Sequence, residues 1–334
     1  MKISAKGEKA RMRSAISTSP AHGGFTLIEL SIVLVIIGLI AGGILVGREM
    51  ISAAEIRATI TQIEKYKTAT NTFRVKYGYL PGDISDPVAS QYGFIPRSAC
   101  GTMGQGDGNG LIEGYRGACG GFPGDGLMVF RGETGVFWVD LSMANLMDGS
   151  FTTADITNGA SLTTAQIPLY APKAKIGRGN YIYVWSGGYT LWGNWYYNGL
   201  MNVNDGANYF GLSALTFTGP TGRPISDTAL TPSEAYNIDS KTDDGMPQSG
   251  KVTAMYDTQS TRVTNWAAGG GSWHSGDMDV TTFKPITAQT VTPLYVSTFG
   301  LVLSDTCFNN GDTLAPEQYS VANTGLNCAL SFRF

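Results

Sequence analysis

The sequence predicts an α+β protein: one long N-terminal helix whose C-terminal half packs against an antiparallel β-sheet head with long loops. Three observations predict it. Residues 25–46 form an apolar run of 22 that holds a single charge, Glu29. Over residues 53–77 apolar side chains recur at spacings near three and four, the helical period. Beyond Pro81 the chain becomes rich in Gly, Tyr, Trp, Thr and Asn, with short strand-forming runs set between turn formers.

The apolar run is long enough to cross a bilayer as a helix. A carboxylate inside such a run costs on the order of a few kcal/mol, so Glu29 is expected to serve a purpose. Upstream, Lys2, Lys6, Lys9, Arg11 and Arg13 stand against Glu8 alone, an excess that holds this leader on the cytoplasmic side. An ordinary secretory signal is cut after its apolar region. Here the small pair Gly23-Gly24 precedes that region, and a cut there leaves the helix on the mature chain. The alternative is a signal-peptidase cut at Ile51-Ser52-Ala53 that releases a soluble protein, for which Glu29 makes a poor signal.

The basic leader, the stretch Gly23-Gly24-Phe25-Thr26-Leu27-Ile28-Glu29-Leu30 and the membrane helix behind it resemble the type IV prepilin family, type II secretion pseudopilins included. The resemblance is specific over residues 23–46 and continues more loosely to residue 83. It implies that a prepilin peptidase cuts after Gly24 and N-methylates Phe25, and that Glu29 pairs with the terminal amine of a neighbouring subunit during assembly. The implied organisation is a leader over residues 1–24, a transmembrane and assembly helix over 25–46, its amphipathic continuation over 47–80, and a periplasmic or extracellular head over 81–334. The implied partners are the peptidase, other pilin or pseudopilin subunits and, before assembly, the inner membrane, crossed once.

The formal charge of the chain is −3, and the leader carries five basic and one acidic side chain, so the mature part sums to −7. That balance offers no electrostatic footprint for nucleic acid. Some 250 residues follow the helix, enough for a sizeable core. An even count of cysteines in an exported chain favours disulfides. Three connectivities exist for four cysteines, and sequence proximity favours Cys100–Cys119 and Cys307–Cys328. The resemblance also places a disulfide in the C-terminal region. With two histidines and no C-x-x-C, a structural zinc site is not expected.

In chain order, the membrane run first meets Gly38, Gly42 and Gly43, which read either as close helix packing in lipid or as a weak point for unwinding. The amphipathic part presents Ala53, Ile56, Ile60, Ile63, Lys67, Thr70 and Tyr77 on one face and Glu55, Arg57, Gln62, Glu64, Lys65 and Arg74 on the other. Gly78 and Pro81 end it, giving a helix of roughly 53 residues. Residues 84–150 read as turn-rich chain closing in a helix over 136–148, stopped by Gly149.

Within that stretch Asp107, Asn109 and Glu113 carry part of a calcium-loop pattern, although tight turns alone explain the glycines between them. Strands are expected at residues 181–185, 189–192 and 215–217. Trp192, Trp195, Tyr196 and Tyr197 read either as core or as an exposed aromatic patch of a binding protein or adhesin. Thr231-Pro232-Ser233-Glu234 is a capping box that starts a helix over residues 232–241. Behind it Asp239, Asp243 and Asp244 read either as a solvated acidic turn or as ligands for a hard cation such as calcium. The final segment, residues 329–334, alternates with period two and is expected to pair at the sheet, with Cys307–Cys328 tethering to it a loop built of turn formers rather than core.

No enzyme, and no cofactor other than that calcium, is expected. The mature chain has one histidine, His274, and neither a nucleophile elbow nor a phosphate-binding glycine loop. A membrane-tethered hydrolase using paired carboxylates is the rival reading.

Overall fold

The computed structural model describes residues 26–95, 106–112, 132–152, 163–186, 207–218, 224–227, 229–247, 249–255, 307–309, 318–322, 324–326 and 328–334. The chain divides into two compact units between Ile51 and Ser52.

The first helix, α1, runs over Leu27–Tyr77, 51 residues. In the first unit most of its side chains are apolar and exposed, from Leu27 and Ile28 through Leu45 and Val46 to Ile51. By length and composition this part is able to cross a membrane. A Cβ placed on Gly38, Gly42, Gly43 or Gly47 meets nothing within 4 Å.

In the second unit α1 buries Ile56, Thr59, Ile63, Tyr66, Ala69, Thr70 and Phe73. The expected face is corrected in one respect: its centre is aromatic, with Tyr66 and Phe73 as the anchors, while Lys67 is half-buried and pairs with Glu64 at 3.2 Å. Gly78 ends the helix in the left-handed region, φ 82°, donating its N–H to the Arg74 carbonyl.

A short helix α2, Val88–Tyr92, and a longer one, α3, Gly132–Met143, follow. The helix expected over residues 136–148 therefore starts earlier and stops earlier. Asn145 adopts φ 55°, Leu146 N–H reaches the Leu141 carbonyl and Asn145 N–H that of Ser142, a Schellman closure that ends the helix before Gly149.

The strands are β1, Asn180–Ser186; β2, Asn208–Thr218; β3, Pro224–Asp227; β4, Val252–Met255; β5, Phe308–Asn309; β6, Gln318–Tyr319; and β7, Ala329–Arg333. Helix α4, Pro232–Thr242, lies between β3 and β4 in the chain. The main sheet is antiparallel in the order β1-β2-β7-β4, with β3 pairing the far end of β2. β5 and β6 form a separate two-stranded sheet.

The period-two alternation sorts side chains to two faces. Ile182, Val184, Phe210, Leu212, Leu330 and Phe332 join the core that contains Tyr66 and Phe73 of α1 and Trp138 of α3. Ring centroids lie 4.9 Å apart for Tyr66–Trp138 and 4.2 Å for Phe210–Phe334. Tyr181, Tyr183, Trp185, Tyr209 and Ala329 face a second core closed by Ile167, Tyr170 and Ala171. Gly211 sits opposite Tyr183 in the register, and a Cβ there would lie 2.3 Å from the Tyr183 ring. The ring occupies the space a larger residue would need.

Candidate functional site

Three arrangements of the described residues gather carboxylates with hydrogen-bond donors. At the start of α1, Glu29 Oε2 accepts from Thr26 N at 2.9 Å and from Thr26 Oγ1 at 2.8 Å, while Glu29 N donates to Thr26 Oγ1 at 3.3 Å. This is the reciprocal pattern of a capping box. It satisfies two backbone donors of the first turn and sets a carboxylate at the positive end of the helix dipole. Gly24 and Phe25 lie outside the described residues, as do Cys100, Cys119, Glu113, His274 and the segment that holds Trp192, Trp195, Tyr196 and Tyr197.

The second arrangement surrounds the chain just past α1. Asp83, buried, accepts Gly108 N at its Oδ1 and Gly110 N at its Oδ2, both at 2.8 Å. Burial pushes the Asp83 carboxyl up to about 6, against the lowering effect of the Gly110 and Gly108 N–H groups. Asp140, on α3, accepts Gly82 N at 2.7 Å, and Gly106 N donates to the Gly82 carbonyl. A Cβ on Gly106 would lie 2.4 Å from both Asp83 Cα and Glu133 Oε1. Asn208 of β2 holds the other end of this loop, accepting Ile112 N and donating to the Gly110 carbonyl.

Asp83, Asp107 and Glu133 each bring a carboxylate oxygen within 4.8 Å of the others. Asp107 is thus joined by Asp83 and Glu133, which the sequence pattern did not single out. Asn109, its expected companion, instead uses its side-chain oxygen to accept Leu111 N.

The third arrangement lies at the end of α4, where the capping box of Thr231 and Glu234 is formed. Asp239, Asp243 and Asp244 are brought together, their oxygens within 4.8 Å of one another. Each carboxylate accepts from nearby donors: Asp239 from Tyr319 Oη at 2.8 Å and Gly245 N, Asp243 from Lys251 N and Val252 N, Asp244 from Met246 N and Ser249 Oγ. Burial pushes Asp239 up to about 6 against the lowering effect of the Tyr319 hydroxyl, and burial beside Asp239 raises Tyr319 as well. Both carboxylate groups have the hard-oxygen chemistry of a calcium or magnesium ligand set, and in both the oxygens already organise a loop backbone.

The Cys307–Cys328 disulfide is formed, with Cα atoms 5.0 Å apart. It ties β5 to the chain entering β7, where Cys328 exchanges backbone hydrogen bonds with Leu230. The expectation of a bridged loop without core residues is corrected. Phe308 and Tyr319, both inside the bridged segment, are buried in the main core.

The residue that sequence reasoning passed over is Thr26. Its signal was present in Thr26-Leu27-Ile28-Glu29, a Thr-x-x-Glu capping pattern at the head of an apolar run.

In comparisons with known proteins, the family model described as the prokaryotic N-terminal methylation motif matches residues 20–45. No curated protein and no solved structure gave a match. The matched residues hold the Gly24–Phe25 junction, Glu29 and the apolar start of α1, and the match supports a type IV prepilin or pseudopilin-type family for this chain.

Proposed function

We propose that this chain is a structural filament subunit, a minor pilin of a type IV pilus or a pseudopilin of a type II secretion filament. The observation that carries the reading is the coincidence of the methylation motif at residues 20–45 with the apolar, exposed start of α1. In this reading residues 1–24 are removed by the prepilin peptidase, Phe25 becomes an N-methylated terminus, and the apolar part of α1 holds the subunit in the inner membrane with its head outside the cytoplasm. The formed Cys307–Cys328 bridge fits an oxidising compartment. A head of some 250 residues favours a minor or secretion subunit over a tightly packed major one.

Glu29 supplies the assembly contact. Inside an apolar filament core an uncompensated charge is costly, and the Phe25 amine of a neighbouring subunit neutralises the Glu29 carboxylate. Replacing Glu29 by Ala is expected to leave membrane insertion intact and to reduce incorporation into filaments. Normal incorporation of that variant removes the pairing. Deleting the gene separates the two systems: loss of surface filaments with intact release of exoproteins marks the pilus.

A further inference from the structure

We infer that Thr26 is a positioning residue for Glu29, fixing one oxygen of its carboxylate so that the other is presented to the cation that assembly brings. The inference rests on the filament reading above and adds to it a residue of this chain. Both donors to the carboxylate, Thr26 N and Thr26 Oγ1, converge on Oε2, at 2.9 and 2.8 Å. Among the described residues no hydrogen bond reaches Oε1.

The hydroxyl also accepts Glu29 N, so side chain and backbone are locked in a ring over the first turn. A glutamate has three rotatable side-chain bonds. Left to itself in an apolar surrounding it would fold toward any donor, including those of other helices. Thr26 removes that freedom. Two donors on Oε2 lower the cost of holding the charge beside lipid before assembly, and the helix dipole acts in the same direction. Oε1 keeps its lone pairs for a charge-assisted hydrogen bond from an ammonium group, so the neighbour's amine is accepted without first displacing Thr26. No covalent step is involved.

The test uses the full chain, processed in its host, with Thr26→Val to remove the hydroxyl at nearly constant shape and Thr26→Ser to restore it. Thr26→Val is expected to lower filament incorporation about tenfold, the scale of one charge-assisted hydrogen bond, with cleavage and membrane insertion unchanged, and Thr26→Ser to recover it. The second readout is the Glu29 carboxylate stretching band in lipid bilayers, isolated by carbon-13 labelling of Glu and subtraction of the Glu29→Gln spectrum. Thr26→Val should shift this band and Thr26→Ser should not.

A band unmoved by Thr26→Val, or normal incorporation of Thr26→Val beside defective Glu29→Ala, overturns the inference and leaves the pairing reading standing. Normal incorporation of Glu29→Ala overturns the pairing itself, while the band still decides whether Thr26 holds the carboxylate.

Discussion

The Tyr319 hydroxyl donates a 2.8 Å hydrogen bond to Asp239 Oδ2 with both residues buried, and this contact joins α4 to a strand inside the Cys307–Cys328 segment. The disulfide ties the same segment to the chain entering β7, so the segment is held at two places by different chemistry. Tyr319→Phe keeps the ring against Tyr236 but leaves Asp239 Oδ2 without its donor in a buried setting. The expected loss is about 1–3 kcal/mol in denaturant unfolding of the detergent-solubilised chain. An unchanged midpoint and slope would remove the contact from the account.

Gly106 is held between Asp83 and Glu133, where a Cβ would lie 2.4 Å from backbone and carboxylate atoms. Gly106→Ala is expected to push residues 106–112 off Asp83 and to cost about 1–3 kcal/mol, as overpacking of a closed site does. Gly110 offers a contrast in cause: a Cβ there meets nothing within 4 Å, and a substitution is strained only by its φ of 88°. Unchanged stability of Gly106→Ala would contradict the packing explanation.

Two buried carboxyls contribute to the pH dependence of the head. Asp83 and Asp239 are both pushed up to about 6, above the roughly 3.9 of an unfolded aspartate. Between these values the folded state binds more protons than the unfolded one, so stability falls as pH rises from about 4 to about 6 and levels off above. The contribution is on the order of 1–2 kcal/mol per group once solvent screening is allowed for. Asp83→Asn should flatten its share of that slope while weakening the hold on Gly108 and Gly110. Thermal unfolding followed across this window checks the sign; stability rising from pH 4 to 6 would show that the N–H donors outweigh burial.

The sequence made legible what is written locally. Gly78 and Pro81 end α1, Thr231 and Glu234 start α4, and the alternation over residues 329–334 becomes β7. Asp239, Asp243 and Asp244 meet because one helix end and its loop carry all three. Thr26 was equally local, but its pattern was masked by the apolar run in which it sits.

What stayed hidden depends on tertiary placement. Asp83 and Glu133 are 50 positions apart and are brought together as α3 packs beside the chain leaving α1. The order β1-β2-β7-β4 puts the last strand between two earlier ones, a choice that strand propensity does not encode. Phe308 and Tyr319 looked like loop neighbours because turn formers surround them, yet each fills the core from a two-residue strand.

The disulfide is expected to matter more for the head than for α1. Cys307 and Cys328 close a span of 21 residues, which in the chain-entropy view contributes about 3 kcal/mol. Replacing both by Ser should lower the stability of the head by that order and speed its proteolysis, while the helical signal of α1 persists. No change in unfolding would mean that Phe308 and Tyr319 hold the segment by packing alone.

The central claim is that this chain is processed as a prepilin, and the mass of the N-terminal peptide of protein purified from its host tests it most directly. The expected mature chain begins at Phe25 and carries one N-methyl group, with Gly24→Arg accumulating the uncut precursor. An unmethylated start near Ala54, or an intact leader on assembled protein, would contradict it.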